Sequence, residues 1–143
     1  MSVPLYNAEI LRLAASIPHH ERLPAPIATA ERRSPICGSR VTIDIDVDER
    51  GRVSAAGLLV RACALGQAAA SLLAAEVIGR TPVELAAVRD ALTAWLAGEG
   101  DAPDWPGLAI FEPALAHKAR HPSIRLAFEA AAEAADTAAK ARV

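Results

Sequence analysis

The stretch SPICGSRVTIDIDVDERGRV, residues 34–53, decides how this chain is built. From Arg40 to Asp48 apolar and polar side chains alternate strictly. Val41, Ile43, Ile45 and Val47 fall on one face, and Thr42, Asp44, Asp46 and Asp48 on the other. Period two with β-branched residues is the pattern of a half-buried strand. The aspartate row reads as a solvated sheet face rather than a cation site, because alternation alone accounts for it. Asp48-Glu49-Arg50-Gly51 is a turn signal, and Val53 to Val60 reads as the returning antiparallel strand. Gly57 within it marks a bulge or a close backbone approach. Upstream, Pro35, Gly38 and Ser39 bend the chain around Cys37, just before the first strand.

Outward from this hairpin the periodicity becomes helical. Residues 5–17, LYNAEILRLAASI, read as a short amphipathic helix, broken by Pro18, Pro24 and Pro26. His19 and His20 fall in that break and read as a solvated loop pair. Residues 62–78, ACALGQAAASLLAAEVI, are almost wholly small or apolar, so this helix is expected to be central and buried on most sides, with Gly79 ending it. Thr81, Pro82 and Glu84 open the next helix as N-cap, first-turn proline and capping-box partner. It runs to about Leu96 and stops at Gly98 and Gly100. Trp105, in the loop that follows, is expected to anchor onto the body. Residues 108–118 predict a short helix and 123–141 an Ala-rich terminal one, with Ser123 as a cap.

The 143 residues suffice for one domain, 1–143, with a core that needs no cross-links. Hydrophobic residues at 52% argue against disorder, and aromatics at 3% mean that the core is Ala, Leu, Ile and Val. A net charge of -2 gives no general pull toward nucleic acid or an anionic membrane. The first residues lack a basic start followed by a long apolar run, so neither a signal peptide nor a membrane span is expected. Two distant cysteines do not form a secreted disulfide scaffold. The expectation is a cytoplasmic protein with reduced thiols. The fold class is α+β: a small antiparallel hairpin or three-stranded sheet with helices packed on one face.

Chemistry centres on the two thiols. Cys37 precedes the first strand and Cys63 follows the second, so the open end of the hairpin brings them together. Cys63 also stands at a helix N-terminus, the positive end of its dipole. Two thiols are half of a soft-metal site, and zinc or an iron–sulfur centre takes four ligands. His117, His121, Ser39 and Ser123 are the other candidates. Two buried small residues, or a cysteine nucleophile without an evident oxyanion hole, are the competing readings.

With these residues in view, the chain resembles the U-type iron–sulfur cluster scaffold family: the NifU N-terminal domain and IscU-like or SufU-like proteins. The resemblance covers the Tyr6 helix, the loop with His20 and Pro24, Pro35-Ile36-Cys37-Gly38-Ser39, Ala62-Cys63-Ala64 and the run to Ser71, and Gly79-Arg80-Thr81 with Glu84 and Leu85. It implies a SufE/NifU-like fold and transient assembly of a cluster, [2Fe–2S] in type, on Cys37, Cys63 and a third ligand. It implies a cysteine desulfurase as sulfur donor, acceptor apoproteins as recipients, and no catalysis of its own. The chain departs from the family at two places. Ser39 stands where the family carries an aspartate that helps to hold or release the metal. Ser123 stands where the family carries its third cysteine. His121, two residues earlier, is the replacement that the resemblance offers.

The site expected from the resemblance is therefore Cys37, Cys63 and His121, with Ser39 beside them. A degenerate binding or regulatory module of the assembly system, and a mononuclear zinc protein using the same residues, are the alternatives. The protein is expected to act as a monomer or a homodimer, without nucleic-acid or membrane partners.

Overall fold

The alternating stretch is the centre of a three-stranded sheet. A computed structural model describes residues 5–35 and 38–142, so Ile36 and Cys37 lie outside it. Strand β1, Ala28–Arg33, pairs antiparallel with β2, Arg40–Val47, which pairs antiparallel with β3, Val53–Arg61. The three-stranded form is thus the one adopted. β1 contributes little alternation because only Ala28 and Ala30 of ATAERR are apolar, and both are buried. Val41, Ile43, Ile45 and Val47 are all buried on one face, as their period requires. Each isoleucine removed from water contributes about 1.5–3 kcal/mol.

That face is covered by α4, His121–Arg142, which lies across β1 and β2. Phe128 and Ile124 fill the gap, while buried alanines such as Ala127, Ala131 and Ala135 let the helix approach closely. Helix α2, Ala64–Glu76, packs between α4 and α1, Ala8–Ala15. Its residues from Ala68 to Ala74 are buried without a break, which matches its uniform small-apolar sequence. Helix α3, Pro82–Leu96, packs on α4. It carries the complete capping box: Thr81 Oγ1 accepts from Glu84 N, and Glu84 Oε1 accepts from Thr81 N, each at 3.1 Å.

Three local expectations are corrected, and a fourth, for Trp105, holds. Helix α2 ends at Glu76 with Val77 as its C-cap, so Gly79 does not cap it. Gly79 instead turns at φ +89° and donates to Val53 O at 2.7 Å, clipping the α2–α3 connection to the start of β3. Residues 108–118 form a 3-10 segment, Leu108–Ala114, rather than an α-helix; it contains Pro113, which has no amide hydrogen to donate. A second 3-10 turn, Lys118–Arg120, leads into α4. The terminal helix begins at His121, so Ser123 lies in its first turn rather than at its cap, and Pro122 sits where no amide donor is needed. Trp105 is the expected anchor: it is buried, its Nε1 donates to Leu72 O at 2.9 Å, and its ring meets Phe128 edge-on at 5.5 Å.

Candidate functional site

The Cys37 turn is the connection between β1 and β2. Its ends are drawn together because Ser34 N donates to Ser39 O at 2.8 Å, and Arg33 pairs with Arg40 where β1 ends and β2 begins. Gly38 has φ +72°, a conformation that costs glycine little and other residues more. Cys37 itself falls outside the described residues. Arg40 also pairs with Arg61, so β3 ends level with this loop. Two residues later Cys63 is the N-cap of α2, a free and partly exposed thiol. Both cysteine-bearing segments therefore leave the sheet at the same end.

The start of α4 closes on them. Ser39 Oγ and Ser123 Oγ are buried and 3.5 Å apart, at the outer limit of a hydrogen bond. Gly66, one turn into α2, permits this arrangement. A Cβ there would stand 2.7 Å from Ala62 Cβ and 3.2 Å from Ser123 O, so a side chain would force Ala62 aside and crowd the serine backbone. His121 is buried, with Nε2 2.9 Å from Ala114 O. A carbonyl only accepts, so Nε2 carries the proton, and in the neutral ring Nδ1 keeps the lone pair. His117, the other candidate nearby, is exposed, as are His19 and His20. Among the described residues no three of His, Cys, Asp and Glu gather as a metal site. The structure thus joins Ser39 to Ser123 and seats Cys63 and His121 at the starts of α2 and α4.

The aspartate row corrects the sequence reading. Asp44 is not solvated; it is fully buried on the sheet face opposite α4. The segment around residues 19–23 crosses that face. Arg22 Nε and Nη2 donate to Asp44 at 2.6 and 3.0 Å, Leu23 N at 3.0 Å, and Thr29 Oγ1 at 2.6 Å. Burial alone would push this carboxyl up; the Arg22 guanidinium, the Thr29 hydroxyl and the Leu23 amide outweigh it and hold it below the ordinary carboxylate range. Gly57 was the signal that could have revealed the crossing. A Cβ there would lie 2.3 Å from Glu21 O, and the neighbouring Leu58 N donates to His19 O at 2.9 Å. Close approach is therefore its reason; the register irregularity of this pair lies at Asp46 and Val47 instead.

Known proteins share this fold. The family model described as NifU-like N terminal domain matches residues 6–99. The chain belongs to that family. The crystal structure of a nitrogen-fixing NifU-like protein, N-terminal part, from Brucella abortus is 38% identical to it, covers 95% of each chain, and superimposes with a TM-score of 0.87. A protein from Fervidobacterium islandicum AW-1, described as an iron–sulfur cluster assembly scaffold for the SUF system, is 17% identical over 92% of this chain and 96% of its own. Its TM-score of 0.83 shows a shared fold. No curated protein matches. In this NifU-like chain no helix among the described residues is long and apolar enough to cross a membrane.

Proposed function

We propose that this NifU-like chain, acting over residues 1–143 as one scaffold domain, is a non-catalytic iron–sulfur assembly scaffold or carrier. Its cargo is iron or a transient [2Fe–2S] cluster, held by Cys37 and Cys63 as thiolates and by His121 as the third ligand, with Ser39 beside them. The observation that carries this reading is the Ser39–Ser123 contact of 3.5 Å, which sets the start of α4 against the loop that contains Cys37. The carbonyl held by His121 Nε2 supports the histidine's role, because ligating imidazoles are commonly fixed through the other ring nitrogen. Ser123 is a weak substitute for a thiolate, since metal ligands must lose their proton and a serine hydroxyl keeps it near neutral pH. A ligand set of two thiolates and one histidine releases its cargo readily, which suits transfer. Sulfur would come from a cysteine desulfurase and the cluster would pass to acceptor apoproteins, in the cytoplasm, from a monomer or a homodimer.

Anaerobic reconstitution with iron and sulfide tests the reading. Wild type is expected to develop sulfide-to-iron charge-transfer absorption that Cys37→Ala and Cys63→Ala abolish and His121→Ala weakens. Absence of that absorption in wild type, unchanged by Cys37→Ala, would overturn it.

The two serines favour a second reading, a binding or regulatory module of the same assembly system that has lost its cargo. Desulfurase binding that survives loss of both cysteines supports it, and binding that collapses with the thiols removes it. Stoichiometric zinc in protein purified without added metal would instead identify a mononuclear zinc site, which thiolate and imidazole ligands suit.

A further inference from the structure

On the sheet face away from α4, three arginines stand level across the strands. Arg33 on β1 pairs with Arg40 on β2, and Arg40 pairs with Arg61 on β3. Directly opposed residues of an antiparallel sheet project from the same face, and like charges placed so are destabilising. One carboxylate serves the row: Glu31 lies 3.1 Å from Arg33 and 3.6 Å from Arg40. Arg61 forms no ion pair among the described residues. Arg22, on the same face, is committed to Asp44. In a chain of net charge -2, three arginines with one carboxylate between them is a local excess that stability does not require.

Two further features show what the excess is suited to. Leu59 is 45% exposed and lies in a cleft on this face with Arg22, Arg40, Arg61, Thr29 and Thr42, and with Glu31, the carboxylate already shared by Arg33 and Arg40. A second cleft runs from Arg33, Arg40 and Arg61 to Ser34, Pro35 and Gly38, the described residues that flank Cys37. An apolar side chain among arginines that outnumber the one glutamate beside them is the composition of a protein–protein contact, with a dry centre and guanidinium groups able to take carboxylates in pairs. A site for a free anion has no use for the leucine.

We infer that this face docks a partner protein through an acidic segment that carries an apolar residue among its carboxylates. The apolar residue sits on Leu59, the carboxylates engage Arg40 and Arg61, and the segment extends toward the β1–β2 loop. The docked partner then stands at the end of the sheet where the two cysteine segments leave it. Docking itself does not depend on what the thiols hold.

The probe is a fluorescently labelled ten-residue peptide of glutamates and aspartates with one central leucine, titrated with the full chain by anisotropy at low and high salt. Wild type is expected to bind, more weakly as salt rises. Arg40→Glu with Arg61→Glu should weaken binding at least about tenfold, because like charges then face each other. Arg61→Gln alone should weaken it measurably without lowering thermal stability, since Arg61 has no ion pair among the described residues to lose and its charge faces that of Arg40. Leu59→Ser should weaken binding without altering its salt dependence. Arg89→Glu, on α3, should leave it unchanged. No binding by wild type at low salt, equal losses for Arg89→Glu, or equal binding of a peptide with serine in place of leucine would each overturn the inference. Equal competition by inorganic phosphate would do the same, marking a simple anion site. Anaerobic cluster formation by the Arg40→Glu, Arg61→Glu variant separates this inference from the proposed cargo function, because it should proceed as in wild type.

Discussion

The hydroxyls of Ser39 and Ser123 lie 3.5 Å apart, buried, and join the end of the β1–β2 loop to the first turn of the last helix. A thiolate introduced at Ser123 would therefore face the loop that carries Cys37. Ser123→Cys is expected to lengthen the lifetime of a reconstituted cluster. Outer-shell partners of metal sites are worth about 10–100-fold in affinity, so a restored direct ligand should slow cluster loss at least about tenfold. The decay of visible absorption after a chelator is added measures this; an unchanged half-life would show that Ser123 does not face the cargo.

Asp44 ties Arg22, Leu23 and Thr29 to the sheet. Asp44→Asn is expected to cost about 1.5–3 kcal/mol at neutral pH, the range for hydrogen bonds to a charged group. The sign of its pH dependence follows from a folded-state value held below the unfolded one. The contribution is complete above the unfolded value of about 4 and is lost as pH falls through the folded value. Denaturant melts below about pH 4 should therefore show wild type losing stability more steeply than the Asn variant.

Gly57→Ala places a methyl where Glu21 O already stands, 2.3 Å from the new carbon. Backbone must move, and overpacking of this kind costs about 1–3 kcal/mol. Amide exchange should speed up at Leu58 and across residues 19–23, while α3 stays protected. Uniform protection would show that the crossing segment has room to yield.

Trp105→Phe keeps a ring against Phe128 and removes the donor to Leu72 O. The expected loss is about 1–3 kcal/mol, from the hydrogen bond together with part of the aromatic contact. Arg80, whose guanidinium lies 4.5 Å from the indole centroid, should become more mobile in the variant. A thermal melt reads the first effect and side-chain NMR relaxation the second.

How much of this was legible follows from the range over which each signal acts. The alternation of 40–48 and the capping box at Thr81 are local, and they became β2 and the start of α3 with their boundaries nearly as read. β1 was only one option because ATAERR buries just two small residues, and its pairing is supplied by β2 rather than by its own pattern. Asp44 was misread for the same reason in reverse. Alternation states which face a side chain is on, not what crosses that face, and Arg22 lies twenty-two positions away. In the candidate site, the helix-start signal located Cys63 at the N-cap of α2, and placed Ser123 at a cap where it lies in the first turn of α4; Cys37 is outside the described residues. The contact between Ser39 and Ser123 spans 84 positions, a separation that no periodicity reports.

The position of α4 has a consequence for synthesis. Val41, Ile43 and Ile45 are covered by a helix whose buried residues extend to Ala138, almost a hundred positions later. While the ribosome makes that interval, the finished sheet keeps an apolar face uncovered. Exposed faces of this kind are where nascent chains associate wrongly. Slowing translation after residue 100 should therefore raise the fraction of chains captured by chaperones, whereas slowing it before β2 should not.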